Sequence, residues 1–361
     1  MKRVFNFFAG PATLPFSVLE KMSADFVNYR NMGLSLIETS HRSKEYDEVH
    51  FGAMNLVKEL LGINDDWKVM LIGGGATLQF GMLPMNLLGG DKIGTYVNSG
   101  SWAEKAIKDA KKVGKVEVAW DGKETRYTTL PGVNDLKVNP ASVYCHVTSN
   151  ETIGGVEYFQ WPDTGNVPLV ADMSSDMLSR PLPMDRFKLI YAGAQKNLGP
   201  AGLTLVLIHK DLQAQCADNL ITYLKYKTHA DKDSLYNTPP VFAIWAFKLV
   251  LEWLKENGGL PAAQKRAEAK AALVYDAIEG SGGFYRCPVA GNCRSLMNIV
   301  WRLPSEELEE KFVKEAKAKG MLGLKGHRDV GGIRASVYNA MPEEGCTALV
   351  QFMNDFRKAN A

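Results

Sequence analysis

The feature that most constrains this chain is its alternation of short, unbroken apolar runs with longer segments of helical periodicity. Stretches 68–72, 92–97, 142–147, 167–171, 189–192 and 203–209 are too short for buried helices and rich in Val, Leu and Ile, so they read as strands. Between them, 46–61 and 102–113 place apolar residues at the spacing of one helix face. That order predicts an α/β domain with a mostly parallel sheet covered by helices. A strongly apolar helix is predicted after Thr238, with Thr238 as N-cap, Pro239 at the first helical position, and Gly258 and Gly259 as its stop. The pattern then changes. A helix over 261–278, an alternating strand over 295–302, a capped helix over 305–319 and a strand over 332–339 read as a smaller α+β domain, with the boundary near 255–265. A length of 361 residues accommodates both units at about 150 residues per domain.

Composition removes several classes of function. With 46% hydrophobic, 23% charged and 10% aromatic residues, the chain has enough apolar material for a core. Its 42 basic and 40 acidic residues nearly balance, which argues against a nucleic-acid-binding surface. The stretch 69–90 carries no charge, but Gly73, Gly74, Gly75, Gln79, Gly81, Pro84 and Asn86 interrupt it, which suits a strand, a glycine turn and a short helix rather than a membrane span. Behind Lys2 and Arg3 the apolar run is broken by Asn6 and Pro11, too soon for a secretion signal, so a cytoplasmic protein is expected. Cys145, Cys216, Cys287, Cys293 and Cys346 are odd in number, widely spaced and without a C-x-x-C pair; they read as reduced thiols and no metal site is expected.

Three features carry chemistry. Gly73-Gly74-Gly75-Ala76-Thr77 follows a strand and opens a helix, so close backbone approach, free amides and the Thr77 hydroxyl suit a phosphate. It matches neither the dinucleotide fingerprint nor a P-loop, and a ligand-free turn reads equally well. Asp172 ends an apolar strand, where ligands of open α/β sheets bind, although an N-cap for a following helix would put it there too. Lys196 stands just past the next strand, among small residues in Ala194-Gln195-Lys196-Asn197-Leu198-Gly199. Lysine, acid and phosphate turn on one rim suit pyridoxal phosphate: an amine for the aldehyde, a carboxylate for the pyridinium nitrogen and amides for the phosphate.

The segments Phe7-Phe8-Ala9-Gly10-Pro11-Ala12, Ser40-His41-Arg42, Asn150-Glu151-Thr152-Ile153-Gly154-Gly155, 191–202, Tyr236-Asn237-Thr238-Pro239-Pro240 and 325–339 carry a closer likeness. The chain resembles the class V aminotransferases of pyridoxal-phosphate fold type I, with the aspartate-aminotransferase fold, and among them those acting on phosphoserine. The resemblance implies a seven-stranded, mostly parallel sheet in a large domain over 16–258, with 1–15 and 259–361 forming the small domain. It implies pyridoxal 5'-phosphate as cofactor, with Lys196 as the attachment lysine and proton carrier, Asp172 on the pyridine nitrogen, Trp102 stacked on the ring and Thr152 beside it. Ala76, Thr77 and Gln195 would hold the phosphate, joined by Asn237 and Thr238 of a second subunit, so that the site is complete only in a homodimer. Some relatives carry an arginine where this chain has Thr77, which removes one cation from the phosphate pocket.

Arginine meets carboxylate and phosphate bidentately. Arg334 alternates with Ile333, Ala335 and Val337, sharing a face with Ser336 and Tyr338; it looks like the clamp for the substrate α-carboxylate. His41, Arg42, His327 and Arg328 look like the pocket for the substrate phosphate or the glutamate side chain. The implied activity is amino transfer between O-phospho-L-serine and 2-oxoglutarate in L-serine synthesis, and some relatives also act on the 4-phosphooxy-L-threonine of vitamin B6 synthesis. A cysteine desulfurase would need a reactive loop cysteine, for which Cys287 and Cys293 are the candidates, and an alanine–glyoxylate-type enzyme would need no phosphate pocket. A non-catalytic binding protein has no need for both Asp172 and Lys196.

Overall fold

The structure is a computed structural model describing residues 3–361; residues 1 and 2, which the sequence reading assigns to the small domain, lie outside it. The first stretch holds β1 (Phe5–Asn6), α1 (Phe16–Asp25), α2 (Lys44–Leu61), β2 (Trp67–Ile72), α3 (Gly75–Leu87), β3 (Ile93–Asn98), α4 (Ser101–Val113) and β4 (Lys115–Asp121). Next come β5 (Ser142–Thr148), β6 (Asn150–Glu151), β7 (Val156–Glu157), β8 (Leu169–Asp172), β9 (Phe187–Gly193), β10 (Thr204–His209), α5 (Lys210–Gln213), α6 (Tyr226–Asp231) and α7 (Val241–Glu256). The chain closes with α8 (Gly259–Glu279), β11 (Asn298–Trp301), α9 (Glu306–Ala318), β12 (Met321–Leu322), β13 (Ile333–Ser336) and α10 (Glu343–Asn360).

Seven strands form one sheet in the order β2-β10-β9-β8-β5-β3-β4. Only β10 runs against its neighbours, pairing antiparallel with both β2 and β9, so the remaining strands point the same way. The inner strands are buried on both faces, which accounts for their unbroken apolar runs. The seventh strand, β4, was not among the runs read from sequence: it sits at the edge, half exposed, and its mixed Lys-Val-Glu-Val-Ala-Trp-Asp pattern follows from that.

Helix α2 is capped at its start by the Ser43 hydroxyl, which accepts from the Tyr46 amide, and stopped by left-handed Gly62. It packs with α7 on one sheet face around Tyr46, Val49, Trp245 and Phe247. On the other face α3 and α4 bury Phe80, Leu83, Ala106 and Ile107 against Tyr96, Tyr144 and Tyr191. A separate core of Phe7, Val274, Trp301, Phe312, Phe352 and Phe356 joins the N-terminal strand to the C-terminal elements.

The strands read over 295–302 and 332–339 are shorter, at Asn298–Trp301 and Ile333–Ser336, and the starts of α7 and α8 also differ from the sequence reading. Helix α7 starts at Val241 with Pro240 before it, so Thr238 is exposed and caps nothing. Proline disfavours helical backbone in the preceding residue, and two in succession push the start past both. Gly258 is left-handed and opens the next helix as well as ending the last, so α8 begins at Gly259 rather than at Pro261.

Candidate active site

The strands β3, β5, β8 and β9 are parallel and end on one rim at Asn98, Thr148, Asp172 and Gly193, and β2 ends there at Ile72. The segments leaving this rim carry Ala76 and Thr77, Trp102, Thr152, and Gln195 with Lys196. Sheet topology therefore gathers residues more than a hundred positions apart.

Lys196 lies in the connection between β9 and β10 and is buried. Its Nζ donates to Thr152 Oγ1 at 2.5 Å and stands 5.1 Å from the centroid of the Trp102 ring. Burial drives its pKa down to about 8 against the pull of Asp172 and Glu151, and Arg334 lowers it further. The N-terminal segment packs over it: the Ala12 amide donates to the Gln195 carbonyl at 3.0 Å, and Gly10 lies so close that a Cβ there would meet Lys196 Cγ at 3.1 Å.

Asp172 is buried, and its Oδ1 accepts from both the amide (2.9 Å) and the hydroxyl (2.6 Å) of Ser174, which leaves Oδ2 for another donor. No helix starts at Asp172, so the N-cap alternative does not apply; the carboxylate shapes a turn instead. Burial raises its pKa, opposed by Ser174 and Lys196.

Thr152 sits in the hairpin between β6 and β7. Asn150 Nδ2 donates to Ser175 Oγ and to Asn298 Oδ1 of β11. Gly155 (φ 75°) permits a backbone that other residues strain to adopt, and a Cβ there would lie 2.9 Å from the Asn298 carbonyl oxygen. The Thr152 carbonyl accepts from Arg334 Nη1 at 3.2 Å, which brings a cation from β13 to the residue that bonds Lys196. Arg334 Nε is buried without a partner, as is Trp102 Nε1.

Helix α3 opens at Gly74 (φ 96°) with no side-chain cap, and Ala76 and Thr77 occupy its first turn. An amine held by one hydroxyl, a buried carboxylate with an oxygen to spare, an uncapped helix start and an unbonded guanidinium nitrogen fit the aldehyde, pyridine nitrogen and phosphate of pyridoxal phosphate together with a carboxylate substrate.

Other predicted residues are not gathered within the single chain. Arg42, Asn237 and Thr238 are exposed, with local bonds such as Asn237 Nδ2 to the Thr238 carbonyl, and His41 is half buried. His327 pairs with Asp329 at 3.2 Å, its pKa lowered by burial and by nearby Arg334, while Arg328 extends into solvent. The structure also brings in groups that sequence reasoning did not single out. Asp176 accepts from Ser149 Oγ and pairs with Arg180 at 3.3 Å; burial raises its pKa. Arg180 also pairs with Glu157. Buried Glu151, its pKa raised by burial to about 7, receives the amides of Trp102 and Ala103. Only the Asn150–Gly155 motif hinted at any of them. Cys287 and Cys293 have pKa values raised by burial, which disfavours the thiolate a desulfurase requires.

Such a rim on such a sheet is that of a pyridoxal-phosphate enzyme of fold type I, and the family model for class-V aminotransferases matches residues 4–349. The phosphoserine aminotransferase of Geobacillus kaustophilus is 51% identical over 358 residues, covering 99% of each chain. The structure of phosphoserine aminotransferase from Bacillus circulans subsp. alkalophilus superposes with a TM-score of 0.98 at 50% identity over all of both chains. The pyridoxal-phosphate-bound phosphoserine aminotransferase of Trichomonas vaginalis matches with a TM-score of 0.93 at 35% identity, covering 98% of this chain and all of that one. The chain belongs to the class-V aminotransferases and, within them, to the phosphoserine aminotransferase family. It is a pyridoxal-phosphate-dependent aminotransferase.

Proposed function

We propose that the enzyme transfers an amino group between O-phospho-L-serine and 2-oxoglutarate, giving 3-phosphooxypyruvate and L-glutamate, in L-serine synthesis. The observation that carries this reading is the approach of Arg334 to Thr152, which sets a carboxylate-binding cation beside the Lys196 amine. The full-length similarity to phosphoserine aminotransferases supports the choice of substrate.

Lys196 is the attachment lysine, and once free it carries the substrate α-proton; a pKa near 8 keeps part of its population neutral at physiological pH. Bound pyridoxal phosphate supplies the electron sink that stabilises charge at the substrate α-carbon. Asp172, fixed on one oxygen by Ser174, holds the proton of the pyridine nitrogen with the other. Thr152 orients the amine, Trp102 covers the ring, and the first-turn amides at Ala76 and Thr77, with Gln195, hold the phosphate. Arg334 binds the α-carboxylate through its unbonded Nε side. His41, Arg42, His327 and Arg328 receive the substrate phosphate or the glutamate side chain.

Asn237 and Thr238 complete the phosphate site of a second subunit in a homodimer, so that residues exposed in one chain become buried. Exposed Phe16, Val27, Phe242 and Tyr236 and the apolar groove of Leu14, Leu19, Met22 and Phe26 support a second copy as their cover; sedimentation as a single chain would contradict it. We take 16–258 as the large domain and 1–15 with 259–361 as the small one, a division that two separate apolar cores support, with Leu260 and Ala263 at the start of α8 packing in the larger core. Among the described residues no helix is long and apolar enough to cross a membrane. All five cysteines are free, which supports a reducing cytoplasm.

One site serving two half-reactions implies ping-pong kinetics. Initial rates with phosphoserine varied at several 2-oxoglutarate concentrations should give parallel double-reciprocal lines; intersecting lines would contradict the reading.

A further inference from the structure

Glu151 has no part in the mechanism above, yet it is the buried carboxylate nearest in sequence to Thr152, wholly shielded from solvent. Its two oxygens accept from the backbone amides of Trp102 (3.1 Å) and Ala103 (2.9 Å), in the first turn of α4. That helix has Gly100 as its N-cap and no side-chain cap of its own, so Glu151, reaching across from β6, closes its open end. Gly100 is shaped to this contact: a Cβ there would lie 2.7 Å from Glu151 Cδ. The same carboxylate stands in the electrostatic field of Lys196 and Asp172.

The Trp102 ring packs against the apolar core beneath α3 and α4, but no side-chain hydrogen bond fixes it. Its Nε1 is buried without a partner, and its polar neighbours are the ammonium groups of Lys105 and Lys196, 4.2 Å and 5.1 Å from the ring centroid. The backbone at 102, which Glu151 anchors, is therefore the polar constraint on where the indole enters that packing. We propose that Glu151 is a positioning residue for the reaction: by clamping the amides of Trp102 and Ala103 it sets the indole plane against the cofactor ring, beside Lys196. The inference rests on Trp102 covering that ring.

The test is a double-mutant cycle read by cofactor affinity. The full-length protein is stripped of cofactor and titrated with pyridoxal phosphate, and thermal unfolding of each variant confirms that it folds. Trp102→Phe and Glu151→Gln should each weaken binding roughly three- to tenfold, the range of an aromatic stacking contact. The double variant should be little weaker than the worse single one, because both changes remove the same contact. Gly100→Ala displaces the carboxylate without altering its charge and should match Glu151→Gln; if Glu151→Gln fails to fold, Gly100→Ala with Trp102→Phe completes the same cycle. Glu151→Gln and Gly100→Ala binding like the parent while Trp102→Phe weakens binding, or effects that multiply in the double variant, would overturn the inference alone. Parent-like binding by Trp102→Phe would overturn both the inference and the stacking on which it rests.

Discussion

Lys196 shows how one residue's environment changes the titration of a common side chain. Its amine titrates near 8 instead of the usual 10.5 because burial penalises the ammonium more than Asp172 and Glu151 favour it. Between those two values the unfolded chain holds more protons than the folded one, so stability rises with pH across that window. Below it the ammonium costs the folded state about 3 kcal/mol. Cofactor-free Lys196→Met should therefore be more stable than the parent at pH 7, with the gap closing as pH rises from 8 toward 10.5; a gap in denaturation free energy that does not narrow would refute this. Lys196 and Asp172 were legible in the sequence because each stands at the end of an apolar run, and Arg334 because of strand alternation. Glu151, Asp176 and Ser174 were not, since an acid or a serine acquires its role only when burial strips it of water, and burial at a turn leaves no periodic trace.

At the scale of elements, the segment after β13 ties the small core to the Lys196 connection. The Asn339 amide donates to Asn197 Oδ1 at 2.9 Å, and its side chain donates to the Leu178 carbonyl at 2.8 Å. From the other side Lys270 of α8, almost wholly buried, donates to the carbonyls of Val337 (2.9 Å), Tyr338 (2.6 Å) and Met341 (3.0 Å). Lys270→Met would remove a donor from three buried carbonyls, of which Tyr338 keeps the Met341 amide, and we expect a loss of about 3 kcal/mol by chemical denaturation; a loss below about 1 kcal/mol would mean that the carbonyls find other partners. The strands and helices around this junction were largely legible, because buried strands and capped helices such as α9, with Ser305 at its start, write their boundaries in local chemistry. The start of α7 was misread because the effect of Pro240 on its predecessor outweighed the capping pattern of Thr238 and Pro239, and β4 went unseen because an exposed edge needs no apolar run.

Across the whole molecule, the order of strands turns scattered motifs into one rim. Reversal of β10 returns β2 to the direction of β9, so the glycine turn opens on the same edge as Lys196 although 120 residues separate them in sequence. Local pattern indicates strands without their order, so the strand ends pointed to one rim for the lysine, the acid and the glycine turn, while the rest of the site was reached through likeness to a family. The exposure of Asn237, Thr238 and Arg42 has the same origin, for their proposed setting is a second chain. The central claim is that phosphoserine gives up its amino group at Lys196 before any acceptor arrives. Its most direct test mixes the holoenzyme with O-phospho-L-serine alone, without 2-oxoglutarate, and measures 3-phosphooxypyruvate. One equivalent per active site from the parent and none from Lys196→Ala is the predicted result; no product until 2-oxoglutarate is added, or product from Lys196→Ala, would contradict it.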